Sequence, residues 1–293
     1  MIKVIASDMD GTLLGEDHRP APETLDAVRE ACRAGIRFII STGRNFPGAM
    51  EELSGTGLVC DYIVSSGAEV RGPDQKVVIT HPMSMELCAR VYEIIRNYPV
   101  SLIFCTPGSD YRIGKPEEIE ESIVLQLHDF HMDLSREEIL KSRLYAQLKE
   151  RTKAAADLDE MAAAGVPVYK LFLFAEDTEM LGQISRQLSQ NPDIAVASSF
   201  RTNLEITDVK AQKGPVLKEY IESLGYQMGE VMALGDSLND LSMLSMDFGA
   251  TVAMGNADTE VKKAAKYITK TNAELGVAYA IRELLKRQSR TGN

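Results

Sequence analysis

The sequence predicts an α/β protein in which a parallel sheet, with helices on both faces, is interrupted by an inserted α+β domain. Strand and helix signals alternate through roughly the first eighty residues, the same grammar returns over the last eighty, and the stretch between them is mixed. The 293 residues leave room for one large or two medium domains, each with its own core.

The elements follow in chain order. Val4-Ile5-Ala6 is a short apolar run stopped by Asp8-Met9-Asp10-Gly11, the pattern of a buried strand ending in a loop. Pro22 opens a helix with Leu25, Val28 and Cys32 on one face and Gly35 as its stop. Ile36 to Ile40 and Tyr62 to Val64 read as the next strands, the latter ending at Ser65-Ser66-Gly67. From about Met83 to Asp208 the pattern changes: an acidic stretch at Glu117 to Glu121, a turn at Pro107-Gly108, a strand at Tyr169 to Phe174, and a helix through Leu181 and Ile184. Two short strands are expected near Ile194 to Ser198 and Leu204 to Ile206. Val216, Leu217, Tyr220, Ile221 and Leu224 then mark a helix face, followed by strand Val231 to Leu234 and a turn at Gly235-Asp236. A helix at Met243-Leu244, a strand at Thr251 to Met254 and a closing helix with Val277, Ile281, Leu284 and Leu285 complete the chain.

Composition excludes several classes of function. No apolar run approaches the ~18 residues that cross a bilayer, and the N-terminus lacks cleavable-signal character, so the expected location is cytoplasmic. A net charge of -11 argues against a nucleic acid or an anionic membrane as partner. Cys32, Cys60, Cys88 and Cys105 are scattered, which predicts reduced core thiols and neither a zinc site nor a disulfide framework.

Four polar turns carry the chemistry. Asp8-Met9-Asp10-Gly11-Thr12 directly follows a buried strand, and catalytic groups of open parallel sheets collect beyond the carboxyl ends of strands. Carboxylates at i and i+2 of an extended segment can share a side, where they repel unless a cation sits between them or one holds a proton. Mg²⁺ prefers oxygen ligands of this kind. Gly235-Asp236-Ser237-Leu238-Asn239-Asp240, after another buried strand, adds two carboxylates and an amide; Asp240 reads equally well as a helix cap or as a metal-site residue. Ser41-Thr42-Gly43-Arg44 offers a hydroxyl, a flexible glycine and a cation to a phosphate oxygen. Lys213-Gly214 places a lysine at a helix start, where it can offset charge on a nucleophile–phosphoryl pair.

In this order the motifs resemble those of the haloacid dehalogenase superfamily, and the long insert between the second and third resembles the cap of its Cof-type phosphatases. Val252-Ala253-Met254-Gly255-Asn256-Ala257 and Gly276-Val277-Ala278 are also similar to that group. One departure is Ser66, where the family commonly has asparagine before Gly67-Ala68. The resemblance implies a Rossmann-like parallel-sheet core formed by residues 1–83 with 210–293, and an inserted α+β cap over 84–209 that supplies specificity. It implies a magnesium-dependent phosphatase acting on a small phosphorylated metabolite, with a compact sugar phosphate the preferred substrate. Asp8 would be the nucleophile that becomes an aspartyl-phosphate, and Asp10 the acid and base. Mg²⁺ would be held by Asp8, the carbonyl of Asp10 and Asp236, with Asp240 supporting. Thr42, Lys213 and Asn239 would bind phosphoryl oxygens, with Gly43 and Arg44 beside them, and residues near Arg201 to Glu205 are further specificity candidates.

Two alternatives share the fold: a phosphomutase, and a phosphometabolite sensor without activity. The sensor is disfavoured because a sensor would be expected to lack the nucleophile or the acid/base, and Asp8, Asp10, Lys213 and Asp236 are all present. Three local signals are set aside. Asp247-Phe248-Gly249 spells a kinase magnesium triplet but lacks the rest of a kinase's signatures. His128 and His131 read as surface residues, and Phe172 and Phe174 as alternate core positions of a strand.

Overall fold

A computed structural model describes residues 1–130 and 134–291, and it divides the chain into two compact units. One combines Met1–His81 with Lys210–Asn293; the other is Pro82–Val209. His131 lies outside the described residues.

The first unit contains strands β1 (Val4–Ser7), β2 (Arg37–Ser41), β3 (Asp61–Val64), β4 (Glu69–Arg71) and β5 (Val77–Thr80). The second contains β6 (Ser101–Cys105), β7 (Asp110–Ile113), β8 (Thr152–Ala155), β9 (Lys170–Phe174), β10 (Ile194–Ala197) and β11 (Asn203–Asp208). The chain then returns to the first unit with β12 (Val231–Gly235), β13 (Ala250–Ala253) and β14 (Tyr267–Ile268).

The first sheet runs β14-β13-β12-β1-β2-β3-β4-β5. Pairing is parallel from β14 to β3, and β1 lies at the centre, with Ser7 opposite Leu234 of β12 and Ile40 of β2. Val4, Ile5 and Ala6 are fully buried because both faces of a parallel sheet are covered, which is why β1 is a continuous apolar run. The sheet departs from the expected all-parallel form at one edge. After β3 the chain folds back at Ser65–Gly67, and again after β4 through Gly72 to Gln75, instead of crossing over by a helix, so β4 and β5 pair antiparallel. The Pro22–Arg33 helix buries Thr24, Leu25, Ala27, Val28 and Ala31. Ala31, not Cys32, continues that apolar face. Cys32 is exposed, against the expectation of a core thiol, whereas Cys60 and Cys88 are buried and Cys105 is half-buried.

The second unit has a sheet in the order β10-β11-β9-β6-β7-β8, antiparallel except for β7 with β8. One face is apolar: Phe104, Leu171, Leu173, Leu204 and Ile206 pack with the Met85–Ile95 and Thr178–Leu188 helices. The other carries Lys170 and Glu205, a buried pair at 2.9 Å, so this candidate in the Arg201 to Glu205 stretch already has a partner. Phe172 and Phe174 stack edge-on at 4.5 Å on that same face. Among the described residues no helix is long and apolar enough to cross a membrane.

Candidate active site

The functional side chains of the first unit gather at the carboxyl ends of β1, β2, β3 and β12. Asp8 leaves β1 with its backbone N–H donating to Leu234 O of β12 at 3.0 Å. The chain then turns widely over Met9–Leu13, closed by Leu13 N to Asp8 O at 3.3 Å and Leu14 N to Met9 O at 2.9 Å. Gly11 has φ 70°, and a Cβ there would lie 2.3 Å from Asp236 Oδ2. Only glycine permits both the left-handed turn and this approach.

Lys213 begins the Lys213–Ser223 helix and is buried, 1% exposed. Its Nζ donates to Asp8 Oδ1 at 2.7 Å and to Asp240 Oδ1 at 2.6 Å, with Asn239 Oδ1 at 3.5 Å. The second oxygen of Asp240 accepts the backbone N–H groups of Asp236 at 2.9 Å and Ser237 at 3.1 Å. Asp240 thus combines the capping role with an ion pair that fixes the lysine. Asp236 Oδ1 accepts from Thr12 Oγ1 at 2.8 Å, joining the first and last motifs across 224 residues.

Asp8, Asp236 and Asp240 each offer a carboxylate oxygen, and the three oxygens lie within 4.8 Å of one another. Burial, followed by repulsion from Asp240, pushes the Asp8 carboxyl well above the usual carboxylate range, although Lys213 opposes the shift. Burial and Asp240 likewise push Asp236 up to about 6. For Lys213, burial acts against the ammonium, but the carboxylates of Asp240 and Asp8 prevail and hold its pKa above the ordinary lysine range. Three carboxylates facing one lysine leave negative charge that protons satisfy poorly at neutral pH. An oxygen-rich, acidic site of this kind fits a hard divalent cation.

Asp10 faces elsewhere. Both of its oxygens are held by Arg44, Nε to Oδ2 and Nη2 to Oδ1, each at 2.8 Å, and Arg44 Nη1 also reaches Glu52 at 2.7 Å. The i, i+2 carboxylates therefore part: Asp8 turns to the lysine and Asp10 to the arginine. Thr42 is buried beside them, its Oγ1 accepting the Arg44 N–H at 3.2 Å across Gly43. Ser65 and Ser66 both hold positive φ, 50° and 61°. Their N–H groups donate to Arg44 O at 2.7 Å and Thr42 O at 3.0 Å, so this strained turn braces the second motif.

Thr12, Glu52, Asn256 and Asn272 join the site without a role expected from the sequence. Asn256 Nδ2 donates to Gly11 O at 2.8 Å, and its Oδ1 accepts Asn272 N at 2.9 Å; Asn272 Nδ2 then reaches Leu14 O at 3.0 Å. The two amides hold the middle and the C-terminal end of the turn that carries Asp10. Thr12 and Asn256 sit inside motifs already singled out, and a polar residue at the end of a strand was the available signal. The decoys resolve as ordinary structure: Phe248 is buried, Asp247 pairs with Lys266 at 2.7 Å, and His128 lies 3.4 Å from Glu176.

The chain matches haloacid dehalogenase-like hydrolase over residues 5–281. It is 31% identical to phosphatase YwpJ of Bacillus subtilis, covering 97% of this chain and 100% of that protein. It is 26% identical to pyridoxal phosphate phosphatase YbhA of Escherichia coli, covering 95% of this chain and 97% of the relative. A solved haloacid dehalogenase-like hydrolase from B. subtilis superposes with a TM-score of 0.81 at 28% identity, over 97% of this chain and 100% of its own. The chain therefore belongs to the haloacid dehalogenase superfamily, within its Cof-type phosphatases, and is a phosphoric monoester hydrolase.

Proposed function

We propose that this phosphatase is Mg²⁺-dependent and works through a phosphorylated Asp8. The observation that carries the reading is the buried Lys213 bridging Asp8 and Asp240 at 2.7 and 2.6 Å, with Asp236 alongside. Asp8, Asp236 and the carbonyl of Asp10 are the groups proposed to hold the ion, with Asp240 supporting. When bound, it would supply positive charge to the site and to the phosphoryl oxygens.

The steps belong to the protein's own side chains. A carboxylate oxygen of Asp8 bonds to phosphorus as the ester P–O bond breaks, and Asp10 gives its proton to the departing alkoxide. Asp10 then takes a proton from water, whose oxygen bonds to phosphorus and frees Asp8. Lys213, Thr42 and Asn239 hold the phosphoryl oxygens and offset their charge, as phosphoryl transfer chiefly requires. Asp10 reaches the leaving oxygen once its bidentate pair with Arg44 opens, and Arg44 keeps Glu52 as a partner when it does.

The substrate class is a small phosphorylated metabolite. Relatives named as a pyridoxal phosphate phosphatase and a 5-amino-6-(5-phospho-D-ribitylamino)uracil phosphatase, the latter 29% identical, support it, and a compact sugar phosphate is the preferred member. The test is phosphate release from p-nitrophenyl phosphate and a panel of metabolites, with Mg²⁺ and with chelator, beside Asp8→Asn. Release that requires Mg²⁺ and is lost in the variant is expected. Metal-independent release, or an active Asp8→Asn enzyme, contradicts the proposal.

A further inference from the structure

Between β3 and β4, Ser65, Ser66 and Gly67 hold φ of 50°, 61° and 107° in succession. Nowhere else among the described residues do three consecutive residues have positive φ. Glycine enters that region freely and asparagine tolerates it, whereas serine does so at a cost. A reversal between two paired strands does not require that cost, because glycine or asparagine would turn the chain without it. Strain of this kind persists only where the surroundings hold it, and it collects where backbone has a second task.

The surroundings are two of the four motifs. The Ser65 and Ser66 N–H groups hold Arg44 O and Thr42 O, so the turn grips the Thr42-Gly43-Arg44 segment at both ends. Gly67 meanwhile lies against the backbone of Gln212, the residue before Lys213. A Cβ on Gly67 would stand 2.8 Å from Gln212 C and 2.9 Å from its N and its O. His81 N–H donates to Ala68 O at 2.9 Å and adds a further tether. The start of the Lys213–Ser223 helix has little room to retreat. Lys213 is paired with Asp8 and Asp240, and Gly214 is packed so closely on Ser242 that a Cβ would lie 1.9 Å from its carbonyl oxygen.

We propose that Ser65, Ser66 and Gly67 are positioning residues for phosphoryl transfer, setting Thr42 against Lys213 through backbone alone. This rests on the phosphoryl-binding roles proposed above for Thr42 and Lys213. A side chain at position 67 must push the turn, and Thr42 with it, away from Gln212, or push Gln212, and Lys213 with it, away from the turn. Either movement changes the spacing of two groups that grip the same phosphoryl group. The left-handed serines keep the turn pressed into that contact while their N–H groups hold the second motif.

The experiment measures kcat and competitive inhibition by inorganic phosphate in the full chain, with p-nitrophenyl phosphate as substrate and folding checked by circular dichroism. Gly67→Ala is expected to lower kcat about 10- to 100-fold, as small misplacements of catalytic groups do, and to weaken phosphate inhibition at least about tenfold. Gly35→Ala is the control for strain alone: Gly35 has φ 81° with nothing within 4 Å of its Cβ position. It is expected to lose stability and leave both readouts unchanged. Ser66→Val, ill-suited to φ 61°, should show the same two losses, and Ser66→Asn should be at least about tenfold less affected. If Gly67→Ala does not fold, the two Ser66 variants decide. Thr42→Val separates the two readings. Unchanged phosphate inhibition there removes Thr42 from phosphoryl binding and this proposal with it. Weakened inhibition there, beside wild-type kinetics in folded Gly67→Ala, overturns the positioning role alone. Undiminished phosphate inhibition in a slow Gly67→Ala enzyme, or equal losses in Gly35→Ala, also overturns it.

Discussion

At the scale of single residues, the site is organised by which partner each carboxylate takes. Asp8 and Asp10 are two residues apart, yet one is buried against Lys213 and the other is clasped by Arg44. That division suits the proposed nucleophile, held in place by its lysine, and an acid/base kept apart from it, whose arginine pair opens before it acts. Asp10→Asn is expected to lower kcat by about 10²- to 10⁴-fold with the fold intact, as loss of general acid–base catalysis does. Steady-state kinetics checks this, and near-normal turnover would remove Asp10 from the chemistry. The residue types and their order were legible in the sequence, because carboxylates, lysine and hydroxyls at strand ends are conspicuous. Their pairings were not. That Thr12 reaches Asp236, and that Asn256 caps Gly11 O, depends on which strand neighbours β1, and no local pattern encodes that order.

At the scale of elements, the Lys213–Ser223 helix sets the lysine's position, and its close approach to the neighbouring chain depends on Gly214. A Cβ at Gly214 would lie 1.9 Å from Ser242 O, far inside contact distance. Further along, Tyr220 Oη donates to Asp61 at 2.6 Å, and Asp61 also accepts two bonds from Arg37 at 2.6 Å each. This trio, with Asp61 and Tyr220 buried and Arg37 half-buried, fixes the helix against β2 and β3. Gly214→Ala is expected to cost about 1–3 kcal/mol by overpacking and to lower activity by displacing Lys213. Urea denaturation and kinetics check it together, and an unchanged midpoint would mean that the backbone there yields easily. Apolar runs and helix faces were readable because burial on both sides of a parallel sheet leaves a strong pattern. The β4–β5 hairpin was not read, since its short strands and the exposed Val77 and Val78 lack the buried run that marked β1.

At the scale of the whole molecule, a concentrated acidic centre in a chain of net charge -11 links stability to pH and to metal. Asp236 rises to about 6 from an ordinary 3.8, so between those values the folded protein holds a proton that the unfolded chain has released. Stability without metal therefore falls as pH rises through that window, and Asp8, raised in the same direction, adds to the fall. Chelated protein is expected to resist urea better at pH 5 than at pH 7.5. Mg²⁺ should reverse the order by replacing the protons, and equal stability at both pH values with chelator would contradict this. The most direct test of the central claim is to quench turnover in acid and search the peptides by mass spectrometry for phosphate on Asp8. One phosphoryl group is expected on the peptide carrying Asp8, present only with substrate and absent from Asp8→Asn. Rapid phosphate release with that peptide never phosphorylated, even when breakdown is slowed in Asp10→Asn, would contradict it.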